Sequence, residues 1–320
     1  MASKLAFSVG VFFLMMIPGI IMKKCKISTD GLGKGLSNLV LYVAQPALIF
    51  RSYLKDFDKS VLINMLYVLL FSVVAHTIFA VVAKFAYKRF PDQVKKVLTF
   101  ATVFSNAAYM GVPLIKDVLG DHAVIYASIY SITFNMFLWT LGVHIYTSDG
   151  EGEGCEEGKS SGVSVKKALL HPTIIAALLG LVFFFLPINN YVPEIVDRGL
   201  MNIENLVAPL SMIVVGLRLA EMDLRGFFKQ KGLYIFLALR HLALPAIVFF
   251  IMRFVIFAGV DINTDVTMSI LIMASAPAAT ATTMFAERYD ADAAYASKIV
   301  TVSTLLSLVT MPIVSLLIAI

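Results

Sequence analysis

Apolar stretches of roughly twenty residues, cut by short charged clusters, succeed one another along the whole chain. They cover residues 5–22, 33–53, 61–83, 97–118, 123–147, 168–187, 200–220, 232–257, 265–286 and 293–319. A membrane-crossing helix needs about 20 apolar residues, whereas a barrel strand reads as about ten residues of alternating polarity. Nothing here alternates. The pattern therefore predicts an all-α membrane protein of ten transmembrane helices. Composition sharpens this: 59% of the residues are AVILMFWYC, 15% are charged, and mean hydropathy is +0.86. Soluble domains carry about 25% charge, so a water-soluble globule could not bury this much apolar surface. Disorder, coiled coil and nucleic-acid binding are excluded by the same figures, despite a pI near 9.0. The first run leads into Lys23-Lys24-Cys25-Lys26 rather than a small-residue cleavage site, which argues against a removed signal peptide. Cys25 and Cys155 stand in separate polar loops with no metal or disulfide spacing.

The net charge of +5 is modest, and its placement carries the information. With the N-terminus outside, 17 Lys and Arg fall in cytosolic segments and 7 in outer ones, Arg240 and Lys298 being set aside inside spans. Positive residues stay inside. The expected product is a multi-pass protein of the cell membrane, both termini extracytoplasmic and the central loop cytosolic. That loop, 148–165, reads SDGEGEGCEEGKSSGVSV. Gly, Glu and Ser in this density can bury nothing and predict a flexible linker, while a calcium site lacks the EF-hand spacing. It divides the chain into a first five-helix repeat (1–147), the linker (148–165) and a second five-helix repeat (166–320).

The halves echo each other. Asn38-Leu39-Val40, Arg51 and Asp56 recur 167 positions on as Asn205-Leu206-Val207, Arg218 and Asp223. Asp121 and Tyr126-Ala127-Ser128 recur 169 positions on as Asp290 and Tyr295-Ala296-Ser297. Five spans is an odd number, so the second half must enter the membrane inverted. Inverted repeats are the architecture of secondary transporters, which bind substrate near mid-membrane where helices are interrupted. Span four carries Phe104-Ser105-Asn106-Ala107-Ala108-Tyr109-Met110-Gly111-Val112-Pro113, and its repeat mate, span nine, carries Ala274-Ser275-Ala276-Pro277-Ala278-Ala279-Thr280-Ala281-Thr282-Thr283. Both combine proline with small or hydroxylated residues near mid-span. Pro113 removes a donor and blocks an i−4 hydrogen bond, and Gly111 allows close backbone approach. Pro18, Pro46, Pro209, Pro245 and Pro312 also lie inside spans, with Pro46 and Pro209 in repeat mates expected to be scaffold.

Asn106 to Lys116, NAAYMGVPLIK, resembles the Asn-x-x-x-Met-Gly-Ile-Pro-Leu-x-Lys segment of the auxin efflux carrier family. Met284 to Pro312, with its Phe-Ala-x-x-Tyr turn and Ser-Thr-Leu-Leu-Ser-Leu run, resembles that family's last spans. Without the very long central loop of many plant members, the chain looks like a prokaryotic one, related in fold to bile-acid/sodium symporters and sodium/proton antiporters. The resemblance implies a scaffold of spans 1, 2, 6 and 7 through which two copies pair as a homodimer. Spans 3–5 and 8–10 would form a mobile transport bundle, with spans four and nine crossing at Pro113 and Pro277. It implies an organic-anion substrate (an indole acid such as auxin, or a dicarboxylate such as malate or malonate) carried by elevator-type alternating access. Asn106 falls where the family places a carboxylate-contacting amide.

The residues themselves fit an anion. Half-helix N-termini offer N–H groups and a favourable dipole, and Ser105, Asn106, Thr280, Thr282 and Thr283 add side-chain donors; Ser105, Asn106, Tyr109, Gly111, Thr280, Thr282 and Lys298 make the expected substrate site. No Asp or Glu lies in either break: span four has none before Asp117, and span nine none between Asp265 at its start and Glu287, which argues against the acidic pair of a sodium/proton antiporter. A sodium- or proton-coupled carboxylate symporter of the same fold is the alternative, and a membrane receptor or scaffold a third reading from another class. Lys298 and Arg240 lie deep in spans ten and eight, where a cation costs about 2.5–3.5 kcal/mol unless it faces water or a partner. Both are expected to draw anions into the cytosolic vestibule, or Lys298 to neutralise the carbonyl ends at the crossing, and snorkelling is the plainer alternative for both. Asn135 is expected to be interhelical glue as readily as site. His76, His144 and His241 have no ligand spacing, Gly31 to Gly35 lacks a phosphate-loop pattern, and Trp139 reads as core or interface belt. No catalytic motif appears: neither enzyme, metal nor cofactor is expected, and the partners are the anion, the bilayer and a second copy.

Overall fold

The computed structural model describes residues 2–29, 31–147, 169–186, 191–221 and 227–317, so the central segment 148–165 lies outside the described residues. Among them every regular element is helical. In chain order these are α1 (Ala2–Lys24), α2 (32–52), α3 (Lys59–Ala86), α4 (Asp92–Val103), α5 (107–119), α6 (Asp121–Thr147), α7 (Pro172–Phe185), α8 (Glu194–Ala220), α9 (Lys231–Phe257), α10 (Thr264–Ser275), α11 (Ala281–Arg288) and α12 (Ala293–Leu317). Six of them, α1, α3, α6, α8, α9 and α12, are long and apolar enough to cross a bilayer. Their outward faces carry Phe7, Leu14, Leu66, Leu70, Phe250 and Phe254, all exposed. That is the surface of a helix solvated by lipid rather than by water.

Polar residues set several helix starts. Asp58 accepts the Ser60 N–H ahead of α3 and Asn263 the Asp265 N–H ahead of α10, satisfying donors that a helix N-terminus leaves free. Helix α8 begins at Glu194, six residues before the apolar run at 200, because an acidic first turn (Glu194, Asp197) favours a helix N-terminus even without apolar character.

Four helices contain a π-helical turn among the described residues: Val40–Ala44, Ala107–Gly111, Leu138–Gly142 and Leu239–Ala243. Three of these turns end two residues before a proline (Pro46, Pro113 and Pro245). A proline ring clashes with the carbonyl four residues back and has no N–H to give it. A wider π turn relieves the clash while keeping the rod helical. Five residues before Pro113, the Ala108 carbonyl accepts from Gln45 Nε2 at 3.4 Å.

Helices α1 and α8 pack backbone to backbone. A Cβ on Gly19 would strike the Ile213 carbonyl, and one on Gly216 the Met16 carbonyl, so both positions require glycine for the approach. Helices α2 and α8 run antiparallel between two ends of the molecule: Lys34 and Arg218 line a cavity at one, Arg51, Asp197 and Glu204 a cavity at the other.

Candidate functional site

Between α4 and α5 the chain leaves helical conformation: Phe104 is extended at φ −100° and ψ 118°, and Asn106 has φ −75° and ψ 53°. Between α10 and α11 it does so again from Ala276, at φ −58° and ψ 148°. The two unwound stretches cross and pair antiparallel at Ser105 and Ala278. Asn106 N–H donates to the Pro277 carbonyl at 2.7 Å, and Ala279 N–H to the Phe104 carbonyl at 2.9 Å. A third backbone donor, Ala278 N–H, reaches Ser303 Oγ on α12 at 2.9 Å. Ser303 is itself held by His241 Nε2 at 2.8 Å, while His241 Nδ1 meets Thr310 at 2.9 Å. In this way the backbone groups released by unwinding are partly satisfied by each other, as a buried chain demands.

The side chains at the crossing are less well served. Asn106 is 2% exposed, yet its Nδ2 has no hydrogen-bond partner, and Thr282 Oγ1 is likewise buried without one, while Ser105 Oγ meets the Tyr130 hydroxyl. Leaving a buried donor unmade costs about 1–3 kcal/mol, so these two, in the residues that follow each unwound stretch, mark a place fitted for something else to accept them. Thr280 and Thr282 open the first turn of α11, and Ala107 the turn that begins α5. Two helix N-termini therefore face the same neighbourhood, and no Asp or Glu stands in either unwound stretch.

Arg240 lies in the π turn of α9 and is wholly buried. Its Nε and Nη2 donate to the Ala276 carbonyl at 3.1 and 2.7 Å, and its Nη1 to the Thr102 carbonyl at 3.1 Å. Its guanidinium carbon is 5.5 Å from the Phe79 ring centroid.

The two ends of α2 and α8 differ. At the Arg51 end a cavity of about 540 Å³ is crossed by ion pairs. Arg51 donates to Asp197 at 2.7 Å and to Glu204 at 2.8 Å, and Lys116 of α5 donates to the same Glu204 oxygen at 2.7 Å and to Asn205 at 2.9 Å. His122 meets Asp265 at 3.0 Å, so α6 and α10 are tied at this end too. Burial holds the nearby Lys55 ammonium below its ordinary pKa. At the other end a cavity of about 650 Å³ is lined by Lys23, Lys34, Arg218 and Arg288, with Glu221 and Glu287, and Tyr109 forms part of its wall. Lys23 pairs with Glu221, whereas among the described residues no carboxylate pairs with Arg218.

Residues 8–315 match the model of a family described as membrane transport proteins, that of the auxin efflux carriers. The chain belongs to the membrane transport protein family. An uncharacterized transporter of Methanothermobacter thermautotrophicus is 26% identical over 305 residues, covering 94% of each chain. Another, from Methanocaldococcus jannaschii, is 22% identical over 305 residues, covering 93% of this chain and 94% of its own. Membership of this family makes the chain a membrane transporter rather than an enzyme.

Within this family member the expected site residues divide. Ser105, Asn106 and Pro277 meet at the crossing, and Thr280 and Thr282 follow at once in α11. Gly111 lies one turn further along α5, where an added Cβ would meet Met273 Sδ of α10. Tyr109 faces the Arg218-end cavity rather than the crossing. Two expected positions lie elsewhere. Pro113 sits in the first turn of the regular helix Val112–Leu119, where its missing N–H is tolerated behind a π turn, and the unwound residues come seven positions earlier. Lys298 stands half-buried with its ammonium 5.9 Å over Phe227, an apolar cover of the snorkelling kind, and the carbonyl ends go to Arg240 instead. Asn135 donates within its own helix, to Ser131 at 2.8 Å. Sequence reasoning missed Ser303 and His241 as supports of the crossing. The available signal was a Ser and a His at mid-span, common enough in membrane helices to pass as glue.

Proposed function

We propose that this family member is a secondary carrier of organic anions that works by elevator-type alternating access. In this reading its helices form ten spans in two inverted repeats, 1–147 and 166–320, joined by a cytosolic linker, with both termini outside. The pairs α4–α5 and α10–α11 are then spans four and nine, and the crossing is the substrate site. What carries the reading is the buried, unpartnered Nδ2 of Asn106, together with the unpartnered Thr282 Oγ1 in the first turn after the other unwound stretch and two helix N-termini with no carboxylate in the crossing stretches. A carboxylate ligand accepts such donors and gains from both dipoles, whereas a cation would meet them with the wrong sign. Carboxylates in the size range of malate, malonate or an indole acid are the proposed substrates.

The two ends support alternating access. Helices α1, α2, α7 and α8 are taken as the scaffold, through which two copies pair, and the remaining helices as the moving bundle. The Arg51 end is then a gate closed by ion pairs between scaffold (Arg51, Glu204) and bundle (Lys116, Asp121). The Arg218 end, on the cytosolic side in this topology, is the open basic vestibule. The deciding experiment is Asn106→Ala in proteoliposomes, with uptake of labelled mono- and dicarboxylates chosen by a thermal-shift screen. Flux is expected to fall at least tenfold, an effect of about 1.4 kcal/mol, while the melting temperature holds or rises slightly because an unsatisfied buried donor has gone. Unchanged flux would remove Asn106 from the site, and a large loss of stability would make it structural.

A further inference from the structure

Arg240 bonds to two carbonyls that belong to the C-terminal ends of different helices, Thr102 in the last turn of α4 and Ala276 just past α10. Last-turn carbonyls have no donor within their own helix and together carry about half a negative charge. Two such ends converge on one guanidinium. Among the described residues no carboxylate pairs with it, and the ring of Phe79 covers it. A wholly buried cation without an acidic partner is costly, so the carbonyl ends are its counter-charge. In inverted-repeat carriers the same type of group, a half-helix C-terminal end with unwound carbonyls, coordinates the coupling cation.

We infer that Arg240 is the resident cation of the crossing: a positioning residue that holds the carbonyl ends of α4 and α10 together and does permanently what a bound alkali cation does transiently. The anion then moves without sodium. This rests on the carrier reading for its consequence but not for its test, which needs no substrate. The π turn at Leu239–Ala243, just before Pro245, is part of the device, since it lies where both Arg240 and His241 reach the crossing.

The test is thermal unfolding of the purified full chain in NaCl, LiCl or choline chloride at constant ionic strength, for the wild type, Arg240→Lys and Arg240→Gln. The wild type is expected to melt within about 1 °C in all three salts, since a cation that binds no site adds no stability. Arg240→Gln should melt at least 5 °C lower in choline and recover half or more of the loss in sodium or lithium, on the order of a few degrees. Arg240→Lys, which keeps the charge, should remain insensitive to sodium. A wild type stabilised by sodium would overturn the inference. So would an Arg240→Gln protein that loses the same stability in every salt, or that cannot be obtained in any of them, because the guanidinium would then be packing rather than a replaceable charge. Because no flux is measured, a failure here leaves the Asn106 experiment untouched, and a failure there leaves this one standing.

Discussion

Arg51 and Arg218 occupy matching positions in the two halves of the chain, near the ends of α2 and α8, and meet opposite environments. Arg51 is engaged by Asp197 and Glu204 and approached by Asp121, in a network that also takes in Lys116. Arg218 looks into a cavity with other basic residues. Two arginines in like sequence contexts thus meet, one a network of ion pairs and the other a cavity with further basic residues. The lesson is that the difference lies in what the neighbouring elements bring: the Arg51 end gathers carboxylates from α6 and from the first turns of α8, while α11 brings Arg288 as well as Glu287 to the other.

Four outcomes would break or sharpen this comparison, the transport loss for Asn106→Ala being the one already described. The largest is expected from the wall that both ends share. Gly216→Val puts two methyl groups where the Met16 carbonyl lies, so α1 must leave α8; the protein should fail to elute as a monodisperse species on size-exclusion chromatography. A well-folded variant would mean that the wall yields, and with it the rigid frame against which the ends are compared. Next comes Glu204→Gln. Glu204 is 2% exposed and takes both Arg51 and Lys116, and removing one partner of a buried pair costs about 3 kcal/mol. The melting temperature should drop, and a cysteine placed at Ser52 should become reactive to a membrane-impermeant maleimide. Loss of stability without labelling would reduce the network to a structural tie. The smallest effect is expected at the open end. Arg218→Ala should raise KM for anion uptake about fivefold, near 1 kcal/mol for a half-exposed charge. That effect should fade in high salt, with melting unchanged, because no carboxylate among the described residues depends on Arg218.

Much of this was legible along the chain. Six of the apolar runs, at 5–22, 61–83, 123–147, 200–220, 232–257 and 293–319, fall on helices that are individually long and apolar enough to cross a bilayer. The motif NAAYMGVPLIK located the neighbourhood of the crossing, and Ser105, Asn106 and Pro277 do meet there. The proline rule failed at Pro113, because a π turn can absorb a proline without unwinding and local composition does not announce which solution is taken. Lys298 and Arg240 looked alike, two cations deep in apolar runs. Only the packing separated them, one over Phe227 and the other on the carbonyl ends.

By itself the sequence determined the solvent, the helical class, the family and the absence of acidic residues from the two unwound stretches, because those follow from composition and local pattern. The tertiary structure decided which backbone groups cross, which donors are left unpaired, which end is bridged by ions, and which of two cations deep in apolar runs meets the carbonyls beside the crossing. Those depend on residues more than a hundred positions apart, Thr102 with Arg240 or Arg51 with Glu204, whose meeting is an outcome of how whole helices pack and leaves no local mark on either segment.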